Sequence, residues 1–296
     1  MPGLDALPGP NALQHIGRLH IVAIAALGTL TFGQIFTGER LWAAVAFCAV
    51  DWFVVNLLNR TVDLQEDAVN HIPGTAWVAR HRDGVLAGGV GLLAGSFVVG
   101  WFVAPAVLPF RLAYHSLGFT YNWRVFGRRL KETYGFKNVA SGVGFLLTCL
   151  AYPLAASWEA GPHFAADVTW ATVFLIGGFF LLFELSYEVL YDLRDLEGDR
   201  RAGVRTFPVV HGRSGAVSII DGLLVTSSLL LLVGWGAGPV PWRAVVMLLA
   251  PLVQLVLYKR WLKRGITGVD CVTLTWLGAG MLGAWQLWVV LELPGV

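Results

Sequence analysis

One stretch of the sequence restricts the fold more than any other, because residues 84–123 carry a single fully charged side chain, Arg111. A membrane-spanning helix needs about 20 mostly apolar residues, so this stretch is long enough for two helices, with a break predicted between Gly100 and Pro105. An open sheet would leave backbone groups unpaired in lipid, and no barrel-like alternation is present, so the spans are predicted to be helices. Only 14% of all residues are charged, against about 25% in soluble domains.

Apolar runs along the whole chain predict nine transmembrane helices around a central cavity. Their predicted ranges are 19–38, 41–60, two within 84–123, 138–158, 168–191, 215–236, 242–258 and 270–292. The predicted fold class is therefore an all-α integral membrane protein, with residues 1–296 forming one multi-pass domain. The three cysteines lie in apolar runs and form no CxxC pair, so neither a disulfide framework nor a zinc site is predicted. Residues 1–17 lack the basic region and cleavage site of a signal peptide.

The distribution of positive charge predicts the orientation. If the N-terminus is cytoplasmic, the loops 59–83, 124–137, 192–214 and 259–269 contain 3, 5, 5 and 4 Lys and Arg residues, and Arg18 brings the total to 18. The opposite side has only Arg40 and Arg243. Positive residues accumulate on the cytoplasmic side of membrane proteins, so the N-terminus and these four loops are predicted to be cytoplasmic in the cell membrane. The net charge of +2 is too small to indicate nucleic-acid binding.

Two acidic motifs follow the second and sixth predicted helices, on the same side of the membrane. NRTVDLQED and YDLRDLEGD supply Asn59, Asp63 and Asp67 at i, i+4 and i+8, and Asp192, Asp195 and Asp199 at i, i+3 and i+7. Each spacing places its three residues on one helical face. Asp63 and Asp195 are 132 residues apart, as are Asp67 and Asp199, and the equal offset indicates a pseudo-repeat of a four-helix unit.

Clustered carboxylates at a membrane surface repel one another unless a cation joins them. Mg²⁺ is usually held by one or two carboxylates together with substrate phosphates, and metal ions neutralise the charge of a departing phosphate group. The two motifs are therefore predicted to face each other across one cavity and to hold a diphosphate through Mg²⁺. The metal ligands are predicted to be the last two aspartates of each motif: Asp63, Asp67, Asp195 and Asp199. These four aspartates together with Asn59 and Asp192, which are the six motif residues, are predicted to be catalytic.

The string DLRDLEGDRRAGVRTFPVVHG at 192–212 resembles the second signature of the UbiA superfamily of membrane prenyltransferases. Asn59, Asp63 and Asp67 are similar to its first signature, NDxxDxxxD, and RLK at 129–131 with Lys137–Asn138 resembles its basic loop. The resemblance implies that diphosphate is bound by four basic residues, Arg129, Lys131, Lys137 and Arg205. Two departures, Arg60 in place of Asp and the unusual stretch 70–81, leave the subfamily and the acceptor open.

Aromatic and charged side chains also lie inside the predicted helices. Aromatic faces stabilise the cation that an allylic diphosphate forms on ionisation, and the aromatic candidates near the acidic ends are Trp52, Phe53, Tyr114, Tyr121, Phe180, Phe183, Tyr187 and Tyr191. Among these, Tyr187, Tyr191 and Tyr121, together with Glu188, are predicted to line the prenyl and acceptor pocket. An intramembrane arginine needs a partner, and Arg111 is predicted to pair with Asp51 or Glu184, which lie at similar depth. Packing and ion pairing inside the bundle are the alternative explanations for these residues.

The predicted reaction is Mg²⁺-dependent transfer of a prenyl group from a polyprenyl diphosphate to an aromatic or quinone-precursor acceptor, releasing diphosphate. The partners are then a polyprenyl diphosphate, a small aromatic or lipid-like acceptor and the membrane lipid. A terpene cyclase with the same metal site, transfer to a non-aromatic acceptor, and a transporter are the alternatives. Two acidic motifs at one mouth favour an enzyme over a transporter.

Overall fold

The computed structural model describes residues 14–69, 72–123, 127, 129–158 and 164–293. The long helices in these ranges are α1 (Leu19–Thr37), α2 (Trp42–Val62), α5 (Arg82–Val103), α6 (Leu108–Asn122), α7 (Phe136–Trp158), α8 (Trp170–Arg194), α10 (Phe207–Gly236), α11 (Trp242–Leu262) and α12 (Gly268–Val290). Short helices lie between them: α3 (Leu64–Val69), α4 (Thr75–Arg80) and α9 (Leu196–Ala202). The described part of the chain contains no β-strand.

Seven of these helices are long and apolar enough to cross a membrane: α1, α2, α5, α7, α8, α10 and α11. The protein is therefore an all-α, multi-pass membrane protein, as the sequence predicts. Helix α6 has only 15 residues, and α12 has 23, but neither is among the seven. The all-α, multi-pass prediction is thus confirmed, whereas the count of nine spans stays a prediction.

The helix ends explain why the predicted ranges agree closely with the structure. Thr169 and Thr267 cap α8 and α12, and each accepts a hydrogen bond from the backbone N–H three residues later, which satisfies a free amide of the first turn. Gly38 ends α1 in the left-handed region with φ 76°, where glycine avoids the steric cost. Pro105 separates α5 from α6, which confirms the predicted break.

Two segments predicted as loops are largely helical. Residues 192–214 contain α9 and the first turns of α10, which begins at Phe207 and is interrupted at Gly212 with φ 70° and ψ 175°. Residues 59–83 contain α3 and α4, although Asn70 and His71 fall outside the described residues. These helices carry many polar residues, so a search for apolar runs does not detect them.

The core joins most of the helices but leaves α5 at the edge. Buried apolar residues of α1, α2, α7 and α8 form one continuous cluster, and a second cluster joins α8, α10, α11 and α12. Helix α5 packs on α2 through small residues such as Gly89 and Ser96, whereas Trp101 and Phe102 are 67% and 79% exposed. Such an apolar outer face fits contact with lipid rather than water.

Arg111 is fully buried and paired as predicted. Its Nε and Nη2 donate to Asp51 Oδ2 and Oδ1 at 2.9 and 2.6 Å. Tyr152 and His115 also bind Asp51, at 2.8 and 2.9 Å, and Ser96 accepts from Arg111. Every charge in this group has several partners, which is the condition under which a buried ion pair is tolerated. Asp51 is therefore the partner of Arg111, and Glu184 is not.

Candidate active site

The long helices other than α5 and α10 enclose a cavity of about 840 Å³. Its polar residues include Asn59, Asp63, Asp67, Lys131, Lys137, Asp192, Arg194, Asp195 and Asp199. The prediction that both acidic motifs face one cavity is confirmed. The ends of α2 and α8 place them there, and we call this polar end of the cavity its mouth.

Each motif is built on a break between a long helix and a short one. Helix α2 ends at Asp63 (φ −91°, ψ 19°) before α3, and α8 ends at Asp195 (φ −89°, ψ 6°) before α9. The predicted single helical face is therefore interrupted in both motifs. The last aspartate of each motif therefore lies on a separate short helix, and Asp67 and Asp199 still reach the same cavity.

The first motif is neutralised by three basic side chains. Lys131 Nζ donates to Asp63 Oδ1 at 2.9 Å, and Arg129 Nη1 lies 3.6 Å from the same oxygen. Arg60 Nη1 lies 2.7 Å from Asp67 Oδ2. Arg60, the residue that departs from the family pattern, thus supplies a fixed positive charge beside the motif.

The second motif has a different set of partners. Lys137 Nζ lies 2.7 Å from Asp192 Oδ1 and 3.2 Å from Asp199 Oδ2, while Asn138 donates to Asp192 at 2.7 Å. Arg194 Nε donates to Asp195 Oδ1 at 2.7 Å. Burial raises the pKa of Asp199 above its usual value, although the nearby Lys137 ammonium opposes this shift.

The carboxylates suit Mg²⁺ as separate ligands rather than as a finished cluster. In the part of the chain that the structure describes, no three His, Cys, Asp or Glu side chains form a ready metal site. Mg²⁺ in phosphate-handling sites takes only one or two carboxylates and completes its shell with water and phosphate oxygens. Hard carboxylate oxygens from two motifs at one mouth fit that pattern, with the metal shared between protein and ligand.

The deeper wall of the cavity is largely apolar and aromatic. Ring contacts run from Tyr114 to Trp52 (5.3 Å), on to Phe145 (4.3 Å), Phe180 (6.3 Å) and Phe32 (4.9 Å between centroids). All five line the cavity. A surface of this kind accommodates hydrocarbon and a developing cation.

Between this wall and the mouth lie the predicted pocket residues. The hydroxyls of Tyr187 and Tyr191 both bond Thr275, at 2.7 and 2.9 Å, which fixes their rings 5.4 Å apart. Glu188 accepts from Ser141 at 2.7 Å. Tyr121 lines the same region.

Comparison with known proteins identifies the family. The model of the UbiA prenyltransferase family matches residues 19–276, which is most of the chain. The chain belongs to the UbiA prenyltransferase family. The prediction of a membrane prenyltransferase is confirmed at this level.

UbiA relatives differ in the reactions that their names describe. The chain is 28% identical over 248 residues to a digeranylgeranylglyceryl phosphate synthase of Methanopyrus kandleri, covering 79% of this chain and 82% of the relative. It is 24% identical over 261 residues to a 4-hydroxybenzoate octaprenyltransferase of Herminiimonas arsenicoxydans, covering 86% and 83%. The first name gives digeranylgeranylglyceryl phosphate as the product, and the second gives 4-hydroxybenzoate as the compound that is prenylated.

A solved UbiA structure has the same fold. The UbiA homologue from Archaeoglobus fulgidus bound to GPP and Mg²⁺ superposes with a TM-score of 0.72, at 14% identity, over 95% of this chain and 99% of that one. At this identity the likeness establishes the fold and nothing finer.

Three predicted residues, Arg129, Arg205 and Phe53, do not line the cavity. Arg205 is exposed, with its guanidinium 5.8 Å from the centre of the Tyr134 ring, and it is not among the lining residues. Phe53 lies instead near Gly17. Arg124 and Arg128 of the predicted basic loop fall outside the described residues.

Arg194 lines the cavity although it is not among the predicted site residues. It stands between two motif aspartates, and an arginine beside an acidic motif is the signal that identifies it. Asn56 and Asn122 line the cavity as well. Asparagine is common in many settings, so spacing alone gives no indication of their position.

Proposed function

We propose that the protein transfers the prenyl group of a Mg²⁺-bound polyprenyl diphosphate to a small aromatic, quinone-precursor or lipid-like acceptor, releasing diphosphate. The observation that carries this proposal is that both acidic motifs, Lys131 and Lys137 meet at the mouth of one cavity whose inner wall is aromatic. The diphosphate is bound at the mouth and the hydrocarbon chain extends inward.

Each group at the mouth has a role in this proposal. Asp63, Asp67, Asp195 and Asp199 hold Mg²⁺, which when bound supplies positive charge to the departing diphosphate. Lys131 and Lys137, with Arg129, donate charge-assisted hydrogen bonds to diphosphate oxygens. Asn59 and Asp192 complete the site, and Asn138 and Lys137 hold Asp192 in place.

The pocket residues act on the carbon chain and the acceptor. Tyr187 and Tyr191, fixed by Thr275, present ring faces to the allylic cation, and Tyr121 lies between the two motifs. Glu188, positioned by Ser141, takes the proton that the acceptor loses once the new bond has formed. Helices α6 and α12 complete a nine-helix, single-domain bundle, and the mouth faces the cytoplasm because the positive loops lie on that side.

A glycerol lipid is the second acceptor class. The relative from Methanopyrus kandleri and a 30% identical relative from Pyrococcus horikoshii are both named digeranylgeranylglyceryl phosphate synthases. The aromatic class has its support in the octaprenyltransferase relative.

A product analysis tests the proposal. Purified protein in lipid nanodiscs is incubated with C10 to C20 prenyl diphosphates and either phenolic or glycerol-lipid acceptors, and products are identified by mass spectrometry. We expect a prenylated acceptor and diphosphate with Mg²⁺, and neither with EDTA. Diphosphate with a cyclic hydrocarbon and no acceptor product would identify a cyclase instead. Binding without diphosphate release would contradict the enzyme.

A further inference from the structure

Two buried asparagines line the cavity and have polar atoms without a protein partner. Asn56 on α2 is 3% exposed and Asn122 at the end of α6 is 1% exposed, and both line the cavity. Within the described ranges, neither the Nδ2 nor the Oδ1 of Asn122 has a hydrogen-bond partner, and neither does the Nδ2 of Asn56. Buried polar groups are nearly always hydrogen-bonded, so these atoms point to a ligand.

The contrast with neighbouring amides supports this interpretation. Asn138 donates to Asp192 at 2.7 Å, and Gln286 donates to Thr31 at 3.1 Å. Each of these two amides has at least one protein partner, although Asn138 Oδ1 has none. Asn122 differs from every other buried amide in the described part of the chain, because both of its polar atoms lack a protein partner and it lines the cavity.

The register of α2 against α6 places the two amides together. Asp51 binds both Arg111 and His115. Val55, one turn after Asp51 on α2, lies against Gly118 of α6: a β-carbon built on Gly118 would lie 3.2 Å from Val55 Cγ2. Residue numbers increase in the same order on both helices, from Asp51 to Val55 and from Arg111 to Gly118, so α2 and α6 run in the same direction.

Four residues make about one helical turn. Extending the contact between Val55 and Gly118 by one turn on each helix brings Asn122 level with Asn59. Asn56 then lies within one turn of that level, on the same helix. The two free amides thus border the first acidic motif.

We propose that Asn56 and Asn122 form a subsite for a neutral hydroxyl group of the acceptor, either a phenol or an alcohol. This inference rests on the proposed transfer reaction and specifies its acceptor. A hydroxyl both donates and accepts hydrogen bonds, and the pair offers N–H donors together with the carbonyl of Asn122. Both polar atoms of Asn122 are free, so the match holds for either orientation of its amide.

An anionic group fits this subsite less well. A carboxylate or phosphate only accepts hydrogen bonds, so it would leave the Asn122 carbonyl unsatisfied and facing a negative charge. The carboxylates of the first motif on the same wall add to this repulsion. Any anionic group of the acceptor is therefore directed away from these amides.

Matched pairs of ligands test the subsite. Binding to the full-length protein in nanodiscs is measured by equilibrium dialysis, with 4-propylphenol against 4-propylanisole and 1-O-hexylglycerol against its dimethyl ether. We expect the wild type to prefer the hydroxyl member of at least one pair by about tenfold or more, because a site built to bond a hydroxyl rejects an analogue without it. The pair that shows the preference separates phenol from alcohol.

The variants Asn122→Leu and Asn56→Leu should reduce this preference to less than about twofold. Neither should lower the thermal stability, because each removes an unsatisfied buried group. Gln286→Leu is the control, and it should keep the hydroxyl preference although it breaks a buried hydrogen bond.

Several results would overturn the subsite. A wild type without preference in either pair contradicts it, as does a preference that survives both substitutions. Equal weakening of 4-propylbenzoate binding by Asn122→Leu would also contradict a site for neutral hydroxyls. Because dialysis needs no turnover, a hydroxyl preference in a protein that transfers no prenyl group would reject the proposed reaction and leave the subsite standing.

Discussion

The two acidic motifs have almost the same backbone but different electrostatic partners. In both, an aspartate ends a long helix, and its amide bonds the residue four positions earlier: Asp63 to Asn59 at 2.9 Å and Asp195 to Tyr191 at 3.1 Å. The backbone carbonyl of the last aspartate of each motif then accepts from an amide five residues on, from Ile72 at 3.0 Å or Val204 at 2.9 Å. The two motifs, offset by 132 residues, therefore share a backbone hydrogen-bond pattern as well as a residue spacing.

The partners show where the two halves differ. Asp63 binds Lys131, in the segment between α6 and α7, while Asp192 and Asp199 bind Lys137, in the first turn of α7. Each motif therefore has its own cations, and what the motifs share is that their lysines lie close together along the chain.

The largest expected effect is equal loss of activity from either motif. Asp63→Asn and Asp195→Asn should each lower prenyl transfer at saturating Mg²⁺ by at least about 100-fold, because metal-based charge stabilisation contributes several kcal/mol and 1.36 kcal/mol is tenfold in rate. Diphosphate release measures this. Glu197→Gln, on α9 but paired only with exposed Arg200 in the described structure, is the control that should retain activity. A fully active variant of one motif would show that the two halves are not equivalent.

Substitutions of the two lysines should differ in their effects on thermal stability and on affinity for prenyl diphosphate. Lys137→Met leaves Asp192, whose side chain is 0% exposed, without its cation, so it should lower both the melting temperature and the affinity for prenyl diphosphate. Lys131→Met leaves Asp63, 15% exposed and still near Arg129, so its effect should be mostly on affinity. Hydrogen bonds to charged groups contribute about 1.5–3 kcal/mol, which predicts a rise in KM of roughly 10- to 100-fold. Equal loss of thermal stability in both variants would contradict this distinction.

The same comparison continues into the membrane, where α2 carries Asp51 and α8 carries Glu184. Asp51 is paired, whereas Glu184 is 7% exposed and lines the cavity. Arg111→Leu should lower the free energy of unfolding by about 3–5 kcal/mol because it strands Asp51, with little effect on the chemical step. Glu184→Leu should be neutral or stabilising.

Thermal unfolding in one lipid mixture compares these two variants, and activity per folded molecule separates stability from chemistry. A stable but inactive Arg111→Leu variant would place Arg111 in the catalytic set.

The smallest effect is expected at Arg205. Its side chain is exposed and lies over Tyr134 rather than in the cavity, so Arg205→Ala should change KM for prenyl diphosphate by less than about threefold, as is common for exposed charges. Titration of prenyl diphosphate in a steady-state assay measures it. A tenfold or larger rise would support the role that the family resemblance implies.

The sequence predicts the apolar spans well because lipid imposes one requirement on every span. Equal depth and the cost of a lone charge, both readable from residue positions, reduced the partners of Arg111 to Asp51 and Glu184, and the structure selects Asp51. Spacing also placed the motif aspartates at one cavity, although the helix breaks show that they do not share one continuous helical face.

Other features depend on contacts that spacing does not encode. The helix breaks at Asp63 and Asp195 arise from backbone conformation, and the periodicity would look the same in an unbroken helix. Arg205 matches a motif by position, but Tyr134, from a distant segment, determines where its side chain lies. The environment of Asn122 depends on the packing of α6 against α2, which no local pattern specifies.

Helix α5 has a consequence for how the protein responds to its surroundings. Only 11% of its most apolar window is buried, against 61% for α7, so hydrocarbon rather than protein surrounds most of it. Ser96 attaches the middle of this helix to α6 through hydrogen bonds of 2.8 and 2.6 Å from Arg111, and Arg82 at its start donates to the Thr61 carbonyl of α2 at 3.0 Å. Short-chain detergents and thin bilayers match the length of such a helix poorly. We therefore expect α5 to be the first span released during solubilisation or mechanical extraction, and Arg111 to be the residue through which that loss reaches the other helices.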